Sequence, residues 1–254
     1  MTGKRVKYAM VKASVNSWTR SSLHSEDFET RLNATQNLHA LAKQAVNDFK
    51  KTGYKIPDWF MPKAVAWASE TVDKDNPTVA RSAADILLLA AQVPGKHLKK
   101  ITGMAKLGLN HKDSYVKLCS ASSLREAAQH SGRHLNGVLE EASKAIENNS
   151  MNAELRADCA KALANIAKHG DKHAGNVVLG LLKYAGTLDN LNERNLVQKR
   201  YVDDGYEIIR EGFNNLGSEK LHKIVKRLPE EEKKQMESVL GMLRELKIKE
   251  AREY

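Results

Sequence analysis

Residues 76–91, NPTVARSAADILLLAA, are the first of three similar stretches, followed by 113–128, DSYVKLCSASSLREAA, and 152–167, NAELRADCAKALANIA. Counted from the first branched or long aliphatic residue of each stretch, positions +4 and +5 are small, +8 is leucine and +12 is alanine. Offsets of 4, 5, 8 and 12 trace one face of a helix with a period of about 3.6 residues. We therefore predict three helices whose small residues let a neighbouring helix approach closely.

The segments between these helices also resemble one another. They are residues 94–109, PGKHLKKITGMAKLGL, residues 131–146, SGRHLNGVLEEASKAI, and residues 170–185, GDKHAGNVVLGLLKYA. Each reads as a turn followed by a second amphipathic helix. The repeating unit is thus a helix pair of about 38 residues, a period typical of helical repeat proteins.

The start of the second helix in each pair resembles the HEAT-repeat family. That family has Asp in the turn, Val-Arg at the helix start, then paired Ala and a Leu. One copy matches with Asp113, Val116, Lys117, Ala121 and Leu124, and the next with Leu155, Arg156, Ala160 and Leu163. The first copy has Asp75 and Val79, with Arg81 displaced by one position. The resemblance implies an all-α fold, a right-handed α-α superhelix of the HEAT/armadillo type.

Weaker copies extend the pattern in both directions. One contains Arg31, Ala34, Leu38 and Leu41, and the other contains Lys199, Val202, Tyr206 and Ile209. We count about five helix-pair repeats. The predicted parts are a basic N-terminal segment or capping helix, 1–25, the repeat array, 26–228, and a charged C-terminal capping helix, 229–254.

Composition limits the classes of function. The 254 residues contain 41 Lys and Arg against 31 Asp and Glu, a net charge of +10 that favours an acidic partner. Cys119 and Cys159 lack a CxxC spacing, which argues against a disulfide framework or a zinc finger. The longest apolar run, 86–91, is far shorter than the ~20 residues of a membrane-spanning helix. We expect a cytoplasmic protein with no cofactor and no membrane partner.

A basic unit recurs in the turns of the three pairs, as Gly95-Lys96-His97, Gly132-Arg133-His134 and Asp171-Lys172-His173. Helix N-termini attract anions, so these turns are candidates for an edge that binds anions or nucleic acid. The candidate residues are Lys96, His97, Lys99, Lys100, Arg133, His134, Lys172, His173, Lys220, Lys223, Lys226 and Arg227. The alternative is that these are solvated turns whose charge only aids solubility.

Two other sets of residues have mainly structural interpretations. Basic residues at the starts of the second helices form a repeat ladder: Arg31, Lys117, Arg156 and Lys199. The HEAT resemblance implies that such residues bridge neighbouring turns through the Asp before the helix. The turn histidines, one repeat apart, would lie about 10 Å from one another. That separation is too large for a shared metal ion with bonds of about 2 Å, so no metal site is expected.

Aromatic residues and one acidic motif have competing readings. Trp18, Trp59 and Trp67 are either core residues or a platform for stacking a base, and the large apolar area of Trp favours the core. Residues 201–204, YVDD, match the metal-binding turn of reverse transcriptases. However, the spacing of Val202, Tyr206 and Ile209 predicts a helix, which argues against polymerase chemistry.

Two functions remain open. The first is a non-enzymatic binding or scaffold protein that holds an acidic partner, either protein or nucleic acid, mainly along its second helices. Alternatively, the chain resembles HEAT-like alkylpurine DNA glycosylases in length, basicity and repeat architecture, which implies a carboxylate beside aromatic residues. The candidates would be Trp59 or Trp67 with Asp85, Asp158 or Asp203. None matches the catalytic pattern of that family residue by residue, so no catalytic residue is assigned. A maturation factor such as a bilin lyase rests on the fold alone.

Overall fold

The computed structural model describes residues 22–23, 25–53, 56–71, 76–148, 150–189 and 196–250. Within these ranges the chain is helical and contains no strand, which confirms the predicted all-α class. The α-helices are α1 (Phe28–Thr52), α2 (Phe60–Thr71), α3 (Pro77–Ala91), α4 (Leu98–Leu109), α5 (Ser114–Ala127), α6 (Leu135–Glu147), α7 (Ala153–Ile166), α8 (Ala174–Asp189), α9 (Leu196–Leu216), α10 (Ser218–Val225) and α11 (Glu230–Glu250). None of the helices in the described ranges is both long and apolar enough to cross a membrane.

Four of the second helices begin at Asp or Asn side chains. Asn76 accepts hydrogen bonds from the amides of Thr78 and Val79, and Pro77 occupies the first turn, where its missing N–H costs nothing. The same type of cap begins α1, α5 and α7, at Asp27, Asp113 and Asn152. These caps satisfy amides that have no partner inside the helix. Every helix predicted from the three similar stretches is therefore confirmed, with its start fixed by the sequence.

The contacts divide the chain into two compact units, Met1–Ser123 and Leu124–Tyr254. In the first unit, α1 packs on α3, and α2 packs on both α3 and α4. The small residues predicted to face a neighbouring helix, Ala83, Ala84 and Ala91, are almost fully buried. Gly108 at the end of α4 is equally close-packed, since a Cβ there would lie 1.9 Å from the hydroxyl oxygen of Ser120.

In the second unit, α6 packs on α7 and α8, α7 packs on α9, and α11 packs on α8 and α9. The positions predicted to be small or large, Cys159, Ala160 and Leu163, are again buried. The segment containing YVDD lies within α9, where Val202, Tyr206 and Ile209 point into the core. The helix predicted there is confirmed.

Some predicted features fall outside the described ranges. Residues 1–21 and 24 are not described, and these include Trp18 and most of the predicted N-terminal segment. The charged helix predicted at 229–254 corresponds to α11, which ends at Glu250. The boundaries of the repeat array at 26–228 stay a prediction.

Candidate anion-binding surface

His97 and His134 close the same turn in two successive repeats. The Nε2 atom of His97 lies 3.0 Å from the carbonyl oxygen of Ala90, and that of His134 lies 2.9 Å from the carbonyl oxygen of Ala127. Both residues have backbone angles of φ −66° and ψ −21°, and both are 7% exposed. Each ring thus ties the start of a first helix to the carbonyl end of the second helix before it.

The glycine two residues before each histidine makes room for the ring. A Cβ on Gly95 would lie 2.6 Å from the imidazole of His97, and one on Gly132 would lie 2.9 Å from that of His134. Gly132 also has a φ of 151°, which side chains rarely tolerate. The repeated Gly-basic-His unit is therefore explained largely by packing.

The turn histidines were expected to form part of an exposed anion-binding edge, but two of them are buried. Because the rings of His97 and His134 lie inside, only the exposed residues between glycine and histidine, Lys96 and Arg133, remain to meet an anion. The third copy has another conformation, two 3-10 turns at Ala167–His169 and Asp171–His173. Partial burial, with Lys172 nearby, lowers the pKa of His173.

Five lysines in and around α4 lie in a stretch of sequence without acidic residues. Residues 86–112 contain no Asp or Glu. The lysines in this stretch are all exposed, and none forms an ion pair with another described residue: Lys96, Lys99, Lys100, Lys106 and Lys112. Elsewhere the repeats pair such residues, as with Lys168 and Glu211 at 3.1 Å. The stretch therefore carries uncompensated positive charge.

The charge of the whole chain is divided very unequally. Residues 1–123 contain 19 Lys and Arg against 10 Asp and Glu, whereas residues 124–254 contain 22 against 21. Within residues 25–123, all positions outside 86–112 hold nine basic and ten acidic residues. The excess in the described part of the first unit therefore comes from the lysines of 86–112.

Three of these lysines lie on α4 itself, beside a small apolar patch on its outer face. The inner face of α4 is buried and includes Leu98, Ile101, Ala105 and Leu109. At about 100° per residue, Lys99 and Lys106 border one side of the outer face and Lys100 the other, with Gly103 and Leu107 between them. Leu107 is 51% exposed, and a Cβ on Gly103 would meet nothing within 4 Å. We define the α4 surface as the five lysines of 86–112 together with Gly103 and Leu107.

Three of the predicted candidates, Lys96, Lys99 and Lys100, are exposed on or beside α4, as are Lys106 and Lys112, which were not predicted. The signal for Lys106 was its spacing of seven residues from Lys99, which places both on one helix face. Apart from the buried His97, the remaining candidates lie in the second unit. Arg133, Lys220, Lys226 and Arg227 are exposed, while Lys223 is 2.6 Å from Glu219 in an ion pair. Lys172 and His173 line an open groove of about 490 Å³ between α6 and α8, together with Glu140 and Lys183.

The predicted ladder of basic residues makes contacts other than those implied by the HEAT resemblance. An Nη atom of Arg31 donates to the carbonyl oxygens of Ser25 and Glu26, at 2.5 and 2.8 Å, and Arg156 donates to that of Asn148, at 3.3 Å. Lys117 is half-buried, and the side chain of Lys199 lies outside the described residues. The bridge to a turn Asp is made instead by the displaced Arg81, which contacts Asp113 at 2.8 Å.

The acids considered for catalysis have partners of their own. Asp158 is buried, and its carboxylate lies 2.6 Å from an Nη atom of Arg125. Asp85 accepts a 2.7 Å hydrogen bond from the hydroxyl of Tyr115. Asp203 is half-buried on α9.

The described tryptophans both lie at or beside α2. Trp67 is a core residue, 4% exposed, as the sequence analysis favoured. Trp59 is half-exposed and meets Phe60 edge-on, with the ammonium of Lys63 5.9 Å from its ring centre.

Solved structures of helical repeat proteins resemble most of the chain. An engineered protein from the Northeast Structural Genomics Consortium matches at a TM-score of 0.55 and 19% identity, over 92% of this chain and 97% of its own. A designed armadillo repeat protein in complex with peptide (KR)4 matches at 0.54 and 14% identity, over 87% and 96%. The fold is an armadillo-like helical repeat. A computationally designed armadillo repeat protein for modular peptide recognition matches this repeat at 0.52 and 14% identity, over the same shares of the two chains. No protein-family model and no curated protein matches the sequence.

Proposed function

We propose that this armadillo-like repeat is a non-enzymatic binding protein that holds an acidic partner against its α4 surface. The observation that carries the proposal is the set of five exposed lysines in residues 86–112, a stretch without any acid. Like charges that are left without partners repel one another, and an acidic ligand relieves that repulsion. In the second unit, by comparison, Lys168, Lys183 and Lys223 each lie beside a glutamate.

The structural neighbours support a binding role of this kind. One of them is described in complex with peptide (KR)4 and another as built for modular peptide recognition. A partner of this chain would carry the opposite charge to (KR)4, because the α4 surface is itself basic. Both an acidic protein and a nucleic acid satisfy that requirement, and the array predicted at 26–228 would serve as the scaffold.

The glycosylase alternative lacks a comparable observation. That chemistry needs an available carboxylate beside aromatic residues in a cleft. Here Asp158 is bound by Arg125, and Asp85 by Tyr115, so both carboxylates already serve contacts between helices. The binding function is therefore the one proposed.

Fluorescence anisotropy with labelled acidic peptides and labelled DNA tests the proposal. We expect the wild-type protein to bind, with an affinity that falls as salt is added. The variant Lys99→Glu/Lys106→Glu should bind at least about tenfold more weakly. The matched control is Lys43→Glu/Lys51→Glu, which changes the net charge equally at exposed positions of α1. Equal losses in the two variants, or no binding by the wild type at low salt, would refute the proposed surface.

A further inference from the structure

Resting on the proposed function, we infer that the partner of the α4 surface is an acidic amphipathic helix of another protein. The reason is the arrangement of the surface, since the exposed Leu107 and Gly103 lie on the outer face of α4 among lysines. An interface between proteins has this anatomy, with an apolar core and a polar rim. A phosphate backbone gains little from an apolar centre, because its contacts are made by charged and hydrogen-bonding groups.

Leu107 is an exposed aliphatic side chain on the outer face of α4. Its 51% exposure is the largest among the exposed large hydrophobic side chains of the described residues. It follows Lys106 directly and lies two turns from Lys100, so lysines border it on both sides. An aliphatic side chain of the partner would remove Leu107 from water, and acidic residues beside it would reach the lysines.

Gly103 is a position on the same face where the α4 surface has no side chain. It lies one turn before Leu107 at the middle of the exposed face, and a Cβ there would meet nothing within 4 Å. A glycine inside a helix costs stability of its own, so the position is better explained by what approaches it from outside. Packed helices lie about 8 to 10 Å apart, and a residue without a side chain allows the lower end of that range.

The dimensions of α4 and its composition also bear on the type of partner. With 12 residues, α4 is about 18 Å long, enough to contact three turns of a second helix. It contains no aromatic residue on which a base of single-stranded nucleic acid would stack. One such face buries a small area, so we expect an affinity in the micromolar range.

The probe is a labelled helical peptide of Glu, Ala and Leu in which the leucines follow an i, i+4, i+7 spacing. A peptide of identical composition with the leucines spread around the helix is its control, and DNA of similar charge is the second ligand. We expect the amphipathic peptide to bind about tenfold more tightly than the spread peptide. The variant Leu107→Ser should weaken binding of the amphipathic peptide about fivefold and leave DNA binding within about twofold.

Gly103→Lys separates the two classes of partner most sharply. Its side chain enters open space, so the fold is retained, which a circular dichroism melt would verify. The added charge should strengthen DNA binding, while the added bulk should weaken binding of the amphipathic peptide. If Gly103→Lys strengthens binding of both DNA and the amphipathic peptide, or if the two peptides bind equally, the inference of a helical partner fails. The proposed function then stands, with a partner recognised by its charge alone. If neither peptide nor DNA binds, the proposed function fails as well.

Discussion

The side chain of Arg81 on α3 contacts one carboxylate oxygen of Asp113 through Nε and an Nη atom, at 3.0 and 2.8 Å. The other oxygen of Asp113 accepts hydrogen bonds from the amides of Tyr115 and Val116 at the start of α5. A single carboxylate thus caps one second helix and joins it to the previous one. The Arg81 guanidinium also holds the pKa of Asp113 below its ordinary value.

We expect Asp113→Ala to lower the free energy of unfolding by about 1–2 kcal/mol near neutral pH, as measured by urea denaturation, because the cap is lost. Asp113→Asn keeps an oxygen for the cap and should cost less. Since the pKa of the folded carboxyl is lowered, its stabilisation is present above the unfolded pKa of about 4 and is lost as the pH falls further. Wild type and Asp113→Ala should therefore converge in acid, and a constant difference would contradict this account.

Arg125 and Asp158 form the most buried ion pair of the second unit, with side-chain exposures of 31% and 9%. Arg125→Met leaves the carboxylate inside without its cation, and we expect a loss of about 2–3 kcal/mol in urea unfolding. Asp158→Asn leaves no buried anion behind, so its loss should be smaller. The reverse order would mean that the carboxylate has another dominant partner.

The imidazoles of His97 and His134 should stabilise their turns to a similar degree. His134→Leu removes the ring nitrogen that donates to the carbonyl oxygen of Ala127, which then keeps only the amide of His130, at 3.2 Å. We expect His97→Leu and His134→Leu each to lower the free energy of unfolding by about 2–3 kcal/mol, because a hydrogen bond is lost and the packing is altered. His222→Leu, at an exposed position on α10, is the control and should change stability by no more than about 0.5 kcal/mol. Thermal melts of the three variants would show the difference.

Both cysteines should be unreactive in the folded protein. Burial, with Asp85 nearby, raises the pKa of Cys119 to about 12, and burial with Asp158 nearby raises that of Cys159 to about 12. A thiol reagent at about pH 8 should therefore modify them slowly until denaturant is added. Because the folded pKa values are raised, the stabilisation is complete below the unfolded value of about 8.5 and is lost as the pH rises towards 12. Urea unfolding of Cys119→Ala/Cys159→Ala should show a weaker decline over that interval.

The fold was predictable because the repeat places the same residue classes on the same helix face. Position +8 after Val79, Val116 and Leu155 is a buried leucine in each copy, so burial follows directly from the periodicity. The contact made by Arg81 was harder to predict from the sequence. Its displacement by one position was visible in the sequence, but its contact with Asp113 depends on how α3 and α5 lie side by side.

The candidate site was predictable in part for a similar reason. Lys96, Lys99 and Lys100 stand next to a helix start and were therefore found, while Lys106 lies two turns further along the same face. Whether a lysine is paired depends on its neighbours in space. The i, i+4 spacing does predict the pair of Glu219 and Lys223, but the pair of Lys168 and Glu211 spans 43 residues and needs the fold.

The matching turns at His97 and His134 have a consequence for how such a chain changes its length. Each turn contains its own glycine, ring and carbonyl acceptor, and the backbone angles at the two histidines are the same. Duplication or deletion of the 37 residues from one histidine to the next would preserve the local hydrogen bond at the new junction. At this turn the gene can therefore gain or lose a whole repeat without new local contacts having to evolve.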